Sequence, residues 1–359
     1  MNIIGVDYHK SYSHVTILDD HGQELWKGRI GNRPEDVAAL FENLQGESKA
    51  VIEATRNWLV MHDLLEQFCD VTLAHPLKVK AISSAKIKTD AIDSRVLADL
   101  LRADLIPEAH VPSKNVRLAR NVLRQRLFFV RMRTMVKNRI HGLIDRHPEI
   151  EKGEGMDSDL FGKSGRTWLR EIDLPPEERK LLDGELSLLD ALDARIKSSD
   201  RWVSDLAKGN RDVALLKTIP GIGPFFAVLL WAEIDGIDRF AHPKKLAAYA
   251  GLVPSTYSSG GKTHHGRITR QGNKWIRWAM VEAVKPAITS DWWLRGHYEH
   301  IKARAGYNGA KVATARRLLT LVFRVLSERR VYRPAKEKMR DNIRASIEKR
   351  KIPAAPMAF

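Results

Sequence analysis

The sequence predicts an α/β N-terminal domain, a helical middle and a mostly α C-terminal region. Three observations predict it. Short apolar stretches at residues 2–7, 13–19 and 23–30 run or alternate at the two-residue period of strands, before helices and strands begin to alternate. Apolar residues then recur every seven positions in two long segments. Beyond Asp212 the chain becomes rich in Gly, Trp and basic residues around one apolar run, Phe225 to Ala232.

His21-Gly22 separate the second and third stretches, which therefore read as a hairpin. Pro34 to Leu44 has helical spacing. Lys49 to Ala54 is a short apolar strand containing Glu53. Trp58 to Phe68 reads as a helix and Val71 to Ala74 as a strand. Ala91 to Ala103 reads as a helix with Val96, Leu97, Leu100 and Leu101 on one face. Three meandering strands followed by alternating helices and strands suggest an α/β domain of ribonuclease H type over residues 1–113.

From Lys114 to His147, Val122, Phe129, Val136 and Leu143 keep a seven-residue spacing. Between them lie Arg117, Arg120, Arg124, Arg126, Arg131, Arg133, Lys137, Arg139 and Arg146, so the expectation is a long amphipathic helix with a very basic outer face. Glu149 to Pro176 holds Gly, Asp, Ser and a Pro pair and reads as a loop. A second heptad follows at Leu182, Leu189, Ile196 and Val203, with Leu192 and Leu206 at the other seam position and Glu185 and Ser199 interrupting it. The two segments form either an antiparallel coiled-coil hairpin or ordinary packed helices. Residues 114–210 are assigned to this helical middle, 211–333 to a third domain and 334–359 to a charged tail.

A chain of 359 residues suits two or three domains, and 43% hydrophobic content suits a globular one. The longest apolar run is far too short to span a bilayer. The start, Met1 to Asp7, lacks a basic n-region and is not expected to be a secretory leader. Cys69 is the only cysteine, which excludes disulfides and Cys-rich zinc sites and suits a reducing cytoplasm. Lys and Arg number 60 against 44 Asp and Glu, a formal charge of +16. The natural partner of such a surface is nucleic acid; a ribosome-bound factor or simple solubility are the alternatives.

Phosphodiester chemistry needs metal ions held by convergent carboxylates, and Mg²⁺ prefers such oxygen ligands. Asp7 ends the first strand, Glu53 a later one, and Asp90 and Asp93 lie three apart at the start of a helix, on one face. Each has a plainer reading: a turn residue, a cap, or two acids favoured by the helix dipole. Together, inside a very basic chain, they make a candidate metal site.

Ile219-Pro220-Gly221-Ile222-Gly223-Pro224 precedes the apolar run and looks like a helix-hairpin-helix element whose backbone N–H groups hold a phosphate; the alternative is a tight turn packed in a core. Further on, Ser255-Thr256-Tyr257-Ser258-Ser259-Gly260-Gly261-Lys262 is followed by Arg267, Arg270, Lys274 and Arg277. Hydroxyls beside glycines with cations behind them read either as a nucleophile with its phosphate clamp or as a loop contacting a DNA backbone.

These stretches resemble the DEDD transposases of insertion-sequence family IS110, relatives of the pilin-gene invertases. The resemblance rests on Gly5-Val6-Asp7-Tyr8-His9-Lys10, Ile52-Glu53-Ala54-Thr55, Lys88-Thr89-Asp90-Ala91-Ile92-Asp93, Ile219-Pro220-Gly221-Ile222-Gly223, and Gly251-Leu252-Val253-Pro254 through Ser258-Ser259-Gly260 to Gly272-Asn273, in order along most of the chain. It implies a RuvC-like N-terminal domain with Asp7, Glu53, Asp90 and Asp93 as a Mg²⁺ site. It also implies a C-terminal transposase domain whose nucleophile is Ser259, with Ser258 as the neighbouring alternative. It further implies a structured bridge RNA pairing with donor and target DNA, and a tetramer built from dimers in which serine and metal site meet across protomers. The nucleic-acid-binding residues expected on this reading are Arg117, Arg120, Arg124, Arg131, Arg139, Lys262, Arg267, Arg270 and Arg277. The expected setting is the bacterial cytoplasm, at the nucleoid and away from membranes. Two rivals remain: a nuclease that uses the acidic tetrad with water, and a non-catalytic nucleic-acid-binding protein.

Overall fold

In the computed structural model, residues 1–83, 89–150, 159–259 and 262–334 are described. The chain divides into two compact units, Met1–Pro112 and Ser113–Phe359. The tail beyond 334, Lys86 to Lys88 and the Gly260-Gly261 pair lie outside the described residues.

The first unit runs β1 (Asn2–Tyr8), β2 (Tyr12–Leu18), β3 (Glu24–Gly31), α1 (Pro34–Glu42), β4 (Ser48–Glu53), α2 (Trp58–Leu65), β5 (Asp70–Ala74), α3 (Pro76–Ile82) and α4 (Asp90–Arg102). Its five-stranded sheet has the order β3-β2-β1-β4-β5, with β1, β2 and β3 antiparallel and β4 and β5 added parallel. Alternation along β1 sends Ile4 and Val6 into a core with Val15, Ile52, Met61 and Leu65 on the α2 side. Ile3, Gly5 and Asp7 therefore face the other side, where Ile3 meets Ala98 of α4.

Gly5 marks the crossing of α4 over the sheet. A Cβ at this position would lie 2.0 Å from the Ser94 carbonyl oxygen and 2.6 Å from the Ala98 nitrogen. Only a residue without a side chain lets the helix backbone approach so closely. The buried Ser94 hydroxyl then lies 3.1 Å from His14 Nδ1 and 2.8 Å from Thr16 Oγ1, both on β2. In this interior, the polar contact fixes the helix in one rotational setting over the sheet.

The second unit begins with α5 (Lys114–Ile144), α6 (Lys163–Glu171) and α7 (Pro176–Ala207). α5 and α7 lie side by side and antiparallel. Their ion pairs Arg126–Asp200, Arg133–Asp193, Arg139–Glu185 and Arg146–Glu178 climb one helix as they descend the other. Leu182, Leu189, Ile196 and Val203 are buried at the expected heptad spacing. The two interruptions are accommodated: Glu185 pairs with Arg139, and the Ser199 hydroxyl donates to the Arg195 carbonyl at 3.0 Å.

On α5 the expected seam is corrected. Val122 and Phe129 are only partly buried, and Val116, Ala119, Leu123 and Leu127 form the core in the first half of the helix. That half packs against a second helix besides α7, so its buried stripe follows the 3.6-residue period of a straight helix rather than a 3.5-residue seam. The loop expected over Glu149 to Pro176 is also corrected: it contains α6, with residues 151–158 outside the described set. Leu160, Leu169, Ile172 and Leu174 are buried with the facing ends of α5 and α7, and Arg166 is ion-paired to Asp190 and Asp193. Glycine and serine in this short stretch conceal its single apolar face.

The rest of the unit comprises α8 (Arg211–Leu216), α9 (Pro224–Ile234), α10 (Pro243–Tyr249), β6 (Pro254–Ser259), β7 (Lys262–Ile268), α11 (Lys274–Ser290) and α12 (Trp292–Ser327). The apolar run is α9, which is hydrophobic nearly all round because it is the central element of this core. Before it, Gly221 has φ 82, and a Cβ there would lie 2.3 Å from the Ala283 carbonyl oxygen of α11, so the Gly-Ile-Gly turn is packed against the core. Among the described residues no helix is long and apolar enough to cross a membrane.

The serine-rich segment, for which a loop was one of two sequence readings, is the β6–β7 hairpin. Ser258 is opposite Thr263, and Ser259 opposite Lys262. Its residues carry no apolar alternation, because β6 from Thr256 onward is exposed, so the hydrophobic period that signals a strand is missing.

Candidate active site

Asp7 lies near the C-terminal end of the central strand β1. Glu53 ends β4, the parallel neighbour of β1, one position past the Val6–Ile52 pair. Both stand at the same edge of the sheet. Asp90 and Asp93 occupy the first turn of α4, whose N-cap Thr89 accepts the Ile92 N–H through its hydroxyl. The Gly5 crossing and the Ser94 contact bring that turn over the ends of β1 and β4. Together Asp7, Glu53, Asp90 and Asp93 line one cleft of about 630 Å³, with Tyr8, His9 and Thr55 among its other walls. The structure thus brings together all four carboxylates of the expected tetrad.

Two residues without an expected role contact these carboxylates, His9 from the cleft wall and Tyr12 from beside it. His9 Nε2 lies 3.2 Å from Asp7 Oδ2 and 3.3 Å from Asp90 Oδ2. The Tyr12 hydroxyl donates to Asp90 Oδ2 at 2.9 Å, and the Arg29 guanidinium sits over the Tyr12 ring. His9 was visible within Asp7-Tyr8-His9-Lys10, but nothing in the spacing distinguishes a turn histidine from one aimed back at the strand end. Tyr12 becomes legible only with the hairpin register.

The electrostatics follow from the geometry. Burial pushes the Asp7 carboxyl above its usual range; His9 opposes this, and the charges of Asp93 and Asp90 raise it further. Asp90 moves the other way, chiefly because the Tyr12 hydroxyl donates to its charged form, with His9 and Arg29 adding to the effect. Several acids that repel one another in a partly buried cleft are a donor set that fits a hard divalent cation. Asp7, His9 and Asp90 also present ligand atoms all within 4.8 Å of one another.

In the second unit Ser259 is exposed at the end of β6. Because successive strand residues face opposite ways, Ser258 and Ser259 point to opposite faces of the hairpin. Arg267 and Arg270 line a cleft of about 1150 Å³ at the hairpin's base, facing Lys311, Arg316 and Arg317 of α12. The Arg124 and Arg131 guanidiniums each lie 5.8 Å from the Trp275 ring at the start of α11, with Lys274 Nζ at 5.3 Å. Arg117 is half-buried, and the exposed Arg139 is ion-paired to Glu185.

The exposure expected of two other arginines is corrected. Arg120 is 11% exposed; it donates to the carbonyls of Ala232 and Glu233 at the end of α9 and lies beside the buried Glu233 carboxylate. Arg277 donates to the Ala250 carbonyl just past α10 at 2.8 Å, and burial lowers its pKa. The last carbonyls of a helix have no intrahelical partner, and these side chains supply the donors. Spacing on a basic helix does not reveal which arginines turn inward.

Residues 4–148 match the DEDD transposase family of the IS110 type, and residues 213–299 match the family described as Transposase IS116/IS110/IS902. The two stretches span more than half of the chain. Three similar proteins align over nearly their whole length. An uncharacterized 44.8 kDa protein of insertion element IS116 from Streptomyces clavuligerus is 23% identical, over 92% of this chain and 96% of its own. A probable family 20 transposase of Pseudomonas aeruginosa is 24% identical, over 92% and 98%. The transposase for insertion sequence element IS1111A of Coxiella burnetii is 24% identical, over 93% and 92%. With an acidic cleft built from the first matched stretch and a serine hairpin inside the second, the chain belongs to the IS116/IS110/IS902 family of insertion-sequence transposases.

Proposed function

We propose that the protein is a Mg²⁺-dependent, RNA-guided DNA recombinase in which the acidic cleft and Ser259 act together on a scissile phosphate. The observation that carries this reading is the convergence of Asp7, Glu53, Asp90 and Asp93 in one cleft. The strand order β3-β2-β1-β4-β5 with α4 across it supports a RuvC-like, ribonuclease H-like domain. The α8–turn–α9 arrangement supports a helix-hairpin-helix element.

When bound, a divalent cation neutralises charge on the phosphate and on the departing oxygen. Asp7, Glu53, Asp90 and Asp93 would hold it. Tyr12, donating to Asp90, keeps that carboxylate ionised and oriented. The Ser259 Oγ attacks phosphorus: a P–Oγ bond forms, the P–O bond to one deoxyribose oxygen breaks, and the serine proton ends on that leaving oxygen. A hydroxyl of another strand then attacks the phosphoserine, restoring Ser259 and joining the strands. The ester conserves the bond energy, so exchange needs no separate ligation.

Arg267 and Arg270, facing Arg316 and Arg317 across their cleft, would grip phosphate beside the hairpin, with Lys262 opposite Ser259. Arg124 and Arg131 would extend the basic surface along α5. Phosphate contacts of this kind position a nucleic acid without reading its sequence, which leaves the choice of donor and target to pairing with a bridge RNA at the nucleoid. The formal charge of +16 supports a polyphosphate partner. On the family resemblance, the reading includes a tetramer built from dimers in which the serine and the metal site meet across protomers.

The test is strand cleavage and binding measured in parallel with the guide RNA that copurifies. Asp7→Ala or Asp90→Ala should abolish cleavage and leave nucleic-acid binding largely intact. Wild-type cleavage in either variant overturns the metal-site reading.

A further inference from the structure

The hairpin joining β1 and β2 aims His9 at the acidic cleft from a fixed position. The His9 carbonyl accepts the Asn32 side-chain amide at 2.7 Å, and the Asn32 oxygen accepts the Ser13 hydroxyl at 2.7 Å. The His9 N–H donates to the Tyr12 carbonyl at 3.0 Å. The imidazole lies against the Tyr12 ring, centroids 5.0 Å apart, and Tyr12 itself holds Asp90. The nitrogen is thus delivered to the same two carboxylate oxygens that frame the cleft.

Its spacing matches a ligand set. Around a six-coordinate ion with metal–ligand bonds of about 2.1 Å, neighbouring ligand atoms stand about 3 Å apart. The His9 nitrogen stands 3.2 Å and 3.3 Å from the Asp7 and Asp90 oxygens. Imidazole is a softer donor than carboxylate. It binds first-row transition-metal ions, Mn²⁺ most weakly among them, whereas Mg²⁺ favours an all-oxygen shell.

We propose that His9 is a nitrogen ligand to the cation of the acidic cleft and biases this site toward Mn²⁺ relative to Mg²⁺. The inference rests on the metal-site reading above. If His9 were only a hydrogen-bonding bridge between the two acids, it would compete with any cation for their oxygens, and removing it would tighten binding of both metals.

The test measures dissociation constants of Mn²⁺, from the electron paramagnetic resonance of the free ion, and of Mg²⁺ by competition, on the full-length protein without nucleic acid. The His9 side chain is 39% exposed, so its replacement leaves the core intact, which a melting curve in chelator checks. In His9→Ala the Mn²⁺ dissociation constant should rise roughly tenfold or more, the scale at which disturbed metal shells lose affinity, while that of Mg²⁺ changes far less. His9→Gln, which offers an oxygen donor, should keep Mg²⁺ binding and lose the Mn²⁺ preference. Equal change for both ions, no change, or tighter Mn²⁺ binding in His9→Ala overturns the proposal. Asp7→Asn is the separate control: it should weaken both ions, and unchanged affinity there overturns the metal-site reading instead.

Discussion

Replacing Gly5 by alanine puts a methyl group where α4 leaves no room. The new carbon would lie 2.0 Å from the Ser94 carbonyl oxygen, against about 3.4 Å where ordinary contact begins, so the start of α4 must retreat by about 1.4 Å. The obstacle is helix backbone, which cannot rotate away like a flexible side chain. Overpacking of this kind costs about 1–3 kcal/mol. Ser94 adjoins Asp93 and lies one turn from Asp90, so the retreat carries both carboxylates away from Asp7 and Glu53. A misplacement of about 1 Å can cost on the order of 100-fold in rate. Thermal melting and single-turnover cleavage of DNA at saturating Mg²⁺ separate the two effects. The expected variant stays folded at low temperature, melts earlier, and cleaves on the order of 100-fold more slowly with nucleic-acid binding retained. A Gly5→Ala protein that melts and cleaves like wild type would refute the claim that the helix–sheet approach at Gly5 sets the geometry of the cleft.

Ser94→Ala removes the hydroxyl between His14 and Thr16 and leaves buried polar groups unpaired, a loss of about 1–3 kcal/mol readable by chemical denaturation; no loss would mean that the network does not fix α4. Arg131→Gln should lower the log–log salt slope of nucleic-acid binding by about 0.7–0.9, if it removes one phosphate contact, whereas Arg124→Gln should also cost stability, because Arg124 pairs with the buried Glu233 at 3.1 Å. Arg120→Gln should instead destabilise the fold and spare the slope, because its partners are the end of α9 and Glu233; the reverse pattern would show that the inward and outward arginines have been misassigned. Asp7 is held above its ordinary pKa, so protonating it favours the metal-free fold, and stability lost to its charge is regained as pH falls through the folded value. Asp7→Asn should therefore raise the melting temperature of metal-free protein at neutral pH and abolish its rise with Mg²⁺; a lower melting temperature in chelator would contradict the burial and repulsion assigned to this carboxylate.

Much of the first unit was legible because its signals are local. The stretches at 2–7, 13–19 and 23–30 are β1, β2 and β3 within a residue or two, and the tetrad stands at strand ends and a helix start, where sequence can find it. The residues that hold the tetrad in place were not legible. Gly5 explains itself only once α4 lies over it, and Ser94 only once β2 supplies His14 and Thr16. The same limit applied in the second unit. Heptad counting found α7 but shifted the buried stripe of α5, because a partner from later in the chain, α9, decides which face is covered. The β6–β7 hairpin was missed because exposed serines, threonine and tyrosine give strands no hydrophobic period. Basic residues were counted correctly, but their direction was not: Arg120 and Arg277 serve helix-end carbonyls.

The most direct measurement is the covalent link itself. DNA labelled on both sides of the cleavage site, and carrying a nick or mismatch that blocks rejoining, is incubated with protein, guide RNA and Mg²⁺, then denatured and examined for labelled protein. The account predicts an adduct whose DNA-bearing peptide contains Ser259, and which is absent from Ser259→Ala and from Asp7→Asn. An adduct that persists in Ser259→Ala and vanishes in Ser258→Ala would move the nucleophile to the opposite face of the hairpin. Cleaved DNA from the wild-type protein with no adduct at any time would contradict the serine mechanism and leave a nuclease that uses water.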